Sequence, residues 1–285
     1  MTKSSSENKL QQNQQKSWVP KVLIAIALLY LSLVIYIPTA NVFFQAFKSG
    51  VGPFLANLTE PNFLHAAWLT LILALITVPV NTVFGLCAAW ALTRGKIPGR
   101  AVILSVIDLP FSISPVVVGL MIVLLYGRNG WFGAWLVEND MRIIFALPGM
   151  VLATAFVSMP FVAREVIPVL DEIGKEQEEA AQTLGANGWQ IFWRVTIPNV
   201  RWGLLYGVLL TNARAMGEFG AVSVVSGNIG GLTQSLPLFI EDAYKQYQTE
   251  AAFSAALILA MLALVTLVVK EILEKKSGHS TKKVL

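Results

Sequence analysis

The sequence predicts an all-α protein, a polytopic bundle of six membrane-crossing helices interrupted by one polar, helix-prone island. Three observations carry that prediction. Hydrophobic residues fill 55% of the 285 positions and charged residues only 13%, whereas a water-soluble domain carries about 25% charge. Apolar runs of spanning length, roughly 20 residues, recur at 22–44, 64–92, 101–126, 143–163, 203–226 and 251–269. Lys and Arg are also sorted along the chain. Of the 21, Lys48, Arg128, Arg142 and Lys245 fall on one side of that layout, Arg214 lies within a span, and the other 16 share the side of the N-terminus. Basic residues are retained in the cytoplasm, so both termini and the island are expected there. The net charge of +4 is then a topology signal, not a nucleic-acid signal, and lipid is the first partner.

Residues 1–21, rich in Gln, Asn, Ser and Lys without apolar periodicity, read as a disordered cytoplasmic tail. Residues 22–270 form the membrane domain, and 271–285 a second cytoplasmic tail. The first span is retained rather than cleaved as a leader, because Pro38 stands where a small residue should precede Ala40. Pro79, Pro110, Pro115, Pro148 and Pro160 lie in spans two to four. Their freed carbonyls need neighbouring helices, hydroxyls or water, which places these spans inside the bundle. Gly203, Gly207, Gly217 and Gly220 in span five permit close approach to a neighbouring helix or to a pathway. The single Cys87 rules out an internal disulfide and reads as a small buried apolar residue.

The chain lacks the G-x-x-x-x-G-K-[ST] phosphate loop, and its two histidines, His65 and His279, form no cluster. No catalytic, cofactor or metal set is therefore expected. Work against a gradient would draw on energy from elsewhere.

The island lies between spans four and five, over about 164–201. Residues 170–184 are good helix formers, and Gly185 is a suitable terminator. Asn187 with Gln190 three residues on suggests a capping box for a second short helix. That helix would carry Trp189, Phe192 and Trp193 on one face and end at Pro198. On the first helix Ala180 and Leu184, and likewise Ala181 and Gly185, are four apart, giving a nearly bare stripe beside the acidic run Glu176, Glu178 and Glu179. An interfacial helix is normally basic and this one is acidic, so docking to a protein explains it better than lying on the bilayer.

Glu179-Ala180-Ala181, then Gly185, then nine residues and Val195-Thr196-Ile197-Pro198, resembles the E-A-A-x-x-x-G…I-x-L-P loop of ABC-type importer permeases. Val195 and Ile197 depart from that pattern conservatively. Tyr126-Gly127-Arg128-Asn129-Gly130, residues 213–221, Ser226-Gly227-Asn228-Ile229 and Ser235-Leu236-Pro237-Leu238 resemble the sulfate/thiosulfate branch. The resemblance implies a non-catalytic permease subunit that moves sulfate or thiosulfate by alternating access. It implies a homologous permease partner, an extracytoplasmic binding protein, and two cytoplasmic ATPases that hold ATP and Mg. The ATPases would dock on Glu178, Glu179, Ala180, Ala181, Leu184 and Gly185. A molybdate or tungstate permease of the same type, or an ATPase-independent secondary transporter, are the alternatives.

Asp108, Arg214 and Glu218 fall within spans, where each charge needs a partner or a watery surface. With Phe219 and Gly220 they are the candidate pathway residues. Arg214 and Glu218, four apart, suit either a structural ion pair or a role toward the anion. A pair between Asp108 and Arg214 would require a bend in span three.

Overall fold

The structure, a computed structural model, describes residues 18–95 and 97–281; most of the N-terminal tail lies outside them. Helices α1 (Trp18–Leu31) and α2 (Ile37–Ala46) are joined by a π turn, Ser32–Tyr36. There the amide of Ile37 reaches back to the Ser32 carbonyl, just before Pro38. The same device recurs before Pro198. A widened turn accommodates a proline, which lacks its own amide, without ending the helix.

The short α3 (Val51–Leu58) leads to α4 (Pro61–Arg94), α5 (Arg100–Ser112) and α6 (Pro115–Tyr126). After α7 (Gly133–Glu138), α8 (Leu147–Ser158) and α9 (Pro160–Ile173) run on as one span. Then come α10 (Glu176–Thr183), α11 (Gly188–Ile191), a π turn at Phe192–Thr196, α12 (Ile197–Met216), α13 (Gly220–Ser226), α14 (Leu236–Lys245) and α15 (Thr249–Thr281). The fold is a helical membrane bundle.

Two of the expected spans are not simple rods. Span three is the bent pair α5 and α6, 107° apart. Ile113 and Ser114 are extended because Pro115 disfavours a helical residue before it. Span five is broken at Gly217–Phe219, between α12 and the half-helix α13. Among the described residues four helices are long and apolar enough to cross a membrane, and the bent pair makes a fifth. The expected count of six thus depends on α12, which carries Arg201, Asn199, Asn212 and Arg214.

Two buried clusters set the architecture. Leu69, Leu73, Val118, Ile122, Met150 and Val222 join α4, α6, α8 and α13, together with Leu238 from α14. Ala89, Leu92, Ile107, Val162, Val166, Leu170 and Val200 join α4, α5, α9 and α12. In the second cluster the backbones come very close. A Cβ on Gly85 would lie 2.6 Å from the Val162 Cβ, and one on Gly207 would lie 2.8 Å from the Val162 Cα. Small residues allow such contact between helices that gain little from apolar burial in lipid. Cys87, expected to be buried, is exposed. It stands on the outward face of α4 with Val83, Phe84 and Trp90, which are also exposed.

Candidate coupling loop and membrane-depth ion pairs

The island is more broken than the pattern of helix formers suggests. The expected helix over 170–184 is interrupted at Gly174, whose φ of +73° suits glycine far better than other residues. α9 stops there and α10 starts two residues later. α10 carries Glu176, Glu178 and Glu179 in its first turn, where carboxylates complement the helix dipole. Gly185 ends it with φ +86°, and the Ala186 amide donates back to the Ala181 carbonyl. The capping box forms as expected: the Gln190 amide donates to Asn187 Oδ1, and the Asn187 amide to Gln190 Oε1, each at 2.9 Å. Trp189, Phe192 and Trp193 form a cluster, with Trp189 stacked on Phe192 and Trp193 edge-on to both. Pro198 does not end their helix, because the π turn carries it on into α12.

The stripe is where the spacing placed it, with one exception. Glu179, Ala180 and Gly185 are exposed and Ala181 is half-buried; Leu184 is 89% exposed, standing clear of the chain. Nothing lies within 4 Å of where a Gly185 Cβ would be. Glu178, expected on that docking face, instead turns inward. Its side chain is 17% exposed and sits 2.8 Å from Arg94 Nε at the end of α4. The helix's opposite face needs an anchor, and Arg94, only 9% exposed, needs a carboxylate. Sequence spacing alone puts these two 84 positions apart and could not pair them.

Asp108 pairs with Arg164, both carboxylate oxygens accepting from the guanidinium at 2.8 Å. Such a fork is the strong geometry for this pair. Arg164 also lies 4.9 Å over the Phe111 ring, and Phe111 meets Phe161 edge-on. Span three is bent, yet the bend does not deliver Asp108 to Arg214. Toward the start of α5, Arg100 Nη2 donates to Asp171 at 2.6 Å. In the sequence Arg164 directly follows the apolar run 143–163 and reads as one of the loop's topology charges.

Arg214 and Glu218 do pair, with Nη1 2.8 Å from Oε2, although the two are not aligned as a hydrogen bond. Glu218 is 3% exposed, and its Oε1 accepts the Ala221 amide at 2.8 Å, so it also opens α13. Phe219 is partly exposed, and Gly220 packs on Pro115, which a Cβ would approach to 2.9 Å. The break in span five thus sits against the break in span three. Asp108 is not part of this group. Arg214→Ala should cost about 3 kcal/mol, the low end for stranding one buried charge, read as reduced yield and earlier denaturation. Adding Glu218→Gln, which keeps the acceptor for Ala221, should recover part of the loss. Wild-type uptake and yield from Arg214→Ala/Glu218→Ala would remove any role for the pair.

Residues 81–279 match the family described as "Binding-protein-dependent transport system inner membrane component". The chain is 67% identical over 261 residues to the sulfate transport system permease protein CysW of Synechocystis, covering 92% of this chain and 95% of that one. It is 37% identical to the permease protein CysT of Escherichia coli K12, covering 85% and 88%. Its fold is like that of a chain of a bacterial alginate ABC transporter at 16% identity, TM-score 0.76, covering 94% and 98%. The chain belongs to the family of inner membrane components of binding-protein-dependent transport systems, as a non-catalytic permease subunit of an ABC importer.

Proposed function

We propose that this chain is one permease half of a sulfate or thiosulfate importer. The observation that carries the reading is 67% identity to a CysW protein along 95% of that protein's length. The lower identity to CysT supports pairing with a distinct sister permease rather than with itself. A binding protein outside the membrane delivers the anion, and two ATPases inside hold ATP and Mg. They seat against Glu179, Ala180, Ala181, Leu184 and Gly185, the exposed edge of α10, with both termini on the same cytoplasmic side. Closure of the ATPases moves this edge, and the bundle rocks between outward and inward openings.

The anion passes where the two span breaks meet. Between Arg214 on α12 and Gly220 at the start of α13, the backbone leaves regular helix at Gly217, Glu218 and Phe219. Such backbone at membrane depth belongs where it lines a cavity or is buried in protein. Glu218 neutralises Arg214 there, so that a passing anion meets no strong unpaired charge to trap it.

The test is reconstitution of the complex purified from its host, with its binding protein, in ATP-loaded liposomes. Radiolabelled sulfate should accumulate, compete with excess thiosulfate, and resist excess molybdate. Stronger competition by molybdate would reassign the substrate, and full transport by this chain without ATPase would reject the importer reading.

A further inference from the structure

Glu178 is the least exposed carboxylate of α10, and its two oxygens have different partners. Oε2 accepts from Arg94 Nε at 2.8 Å, at the last residue of α4. Oε1 accepts from Thr196 Oγ1 at 2.8 Å, in the π turn that feeds α12. Thr196 is 1% exposed, so its hydroxyl has little access to water. Arg94 reaches further still, donating from Nη1 to the Leu170 carbonyl of α9 at 3.1 Å. Lys175 Nζ, just before α10, donates to the Arg94 carbonyl at 3.2 Å. Asn199 Nδ2 of α12 donates to Gln177 Oε1 at 2.7 Å. α10 is thus tied by side chains to α4 and α12, and through Arg94 to α9.

We propose that Glu178 is a positioning residue that rivets the coupling helix to spans two and five at once. Displacement of α10 then moves the inner ends of α4 and α12 as one body. This rests on the docking reading above, since it concerns how the motion leaves the helix rather than how it arrives. The physical basis is a carboxylate held between a buried guanidinium and a buried hydroxyl. Charge-assisted bonds of this kind are short and directional, and removing one partner leaves the other stranded. Without Glu178 the ATPases would still find their surface, but α10 would tilt on the short connections at Gly174 and Gly185 instead of driving the spans.

The experiment uses the whole importer in liposomes with its binding protein, and reads anion transported per ATP hydrolysed. In Glu178→Ala the ATPases should still co-purify at wild-type stoichiometry while the transport ratio falls about tenfold, the size of a typical coupling loss. The exchange Glu178→Arg/Arg94→Glu should recover part of the ratio. Thr196→Val removes one hydroxyl at nearly constant shape and should lower the ratio about threefold. It decides the matter if Glu178→Ala fails to assemble. A wild-type ratio in both Glu178→Ala and Thr196→Val overturns the rivet, as does loss of the ATPases from assembled Glu178→Ala, which would return this residue to the docking surface. A wild-type importer that binds no ATPase through α10 would instead overturn the docking reading itself.

Discussion

Gly185→Trp should abolish ATP-driven uptake and release the ATPases, while the permease remains inserted and paired. Two separate effects combine at this position. The φ of +86° costs an L-residue about 1–2 kcal/mol, which would distort the end of α10. The space beyond the glycine is open, so an indole would fit in this chain but fill the place the docking reading gives the partner. The two effects separate by substitution. Gly185→Asn tolerates the left-handed backbone and adds little bulk, so it should retain most activity. Gly185→Ala should fall between them. Co-purification of ATPase subunits with each variant checks the order, and uptake that survives Gly185→Trp would end the coupling argument.

Gly207→Leu should produce the largest loss of stability. Val162 lies between two glycines, with Gly85 of α4 on one side and Gly207 of α12 on the other. A new Cβ at Gly207 would meet the Val162 Cα at 2.8 Å and the Glu165 Cβ at 3.4 Å. The nearer atom is backbone, so no rotamer change relieves it, and α12 must move away from α9. Overpacking typically costs about 1–3 kcal/mol, and a leucine pressed on backbone belongs at or above the upper end. Denaturation of the purified permease, followed by its eight tryptophans, should begin earlier in Gly207→Leu and show a smaller shift in Gly207→Ala. An unchanged midpoint would mean that α12 does not depend on this contact.

Much of the molecule was legible because membrane chains carry blunt signals. Apolar runs located the helical segments, and small-residue spacing located the exposed edge of α10. Asn187 and Gln190 announced their capping box because its partners are three residues apart. What the sequence hid is what depends on distant pairing. Glu178 and Arg94 find each other across 84 positions, and Asp108 and Arg164 across 56. Asp108 stands out as a charge within an apolar run, whereas Arg164 lies just past the end of one. Prolines were also ambiguous. Pro115 begins a helix after a sharp bend, Pro79 lies within an unbroken helix, and Pro198 follows a π turn. Neighbouring residues and packing, not the proline itself, decide among these outcomes.

The two ion pairs between α5 and α9 have opposite order. α5 carries Arg100 and then Asp108, while α9, running the other way, offers Asp171 and then Arg164. The pairs are spaced by roughly two helical turns on each helix, about 11 Å. If one helix slid along the other by that spacing, Arg100 would come to face Arg164, or Asp108 to face Asp171. Like charges would then oppose each other in place of two attractive pairs. The arrangement behaves as a keyed joint: α5 and α9 are free to pivot together but are held against sliding. Sliding by that distance would exchange two attractive contacts for repulsive ones, whereas a joint rotation of α5 and α9 would keep both.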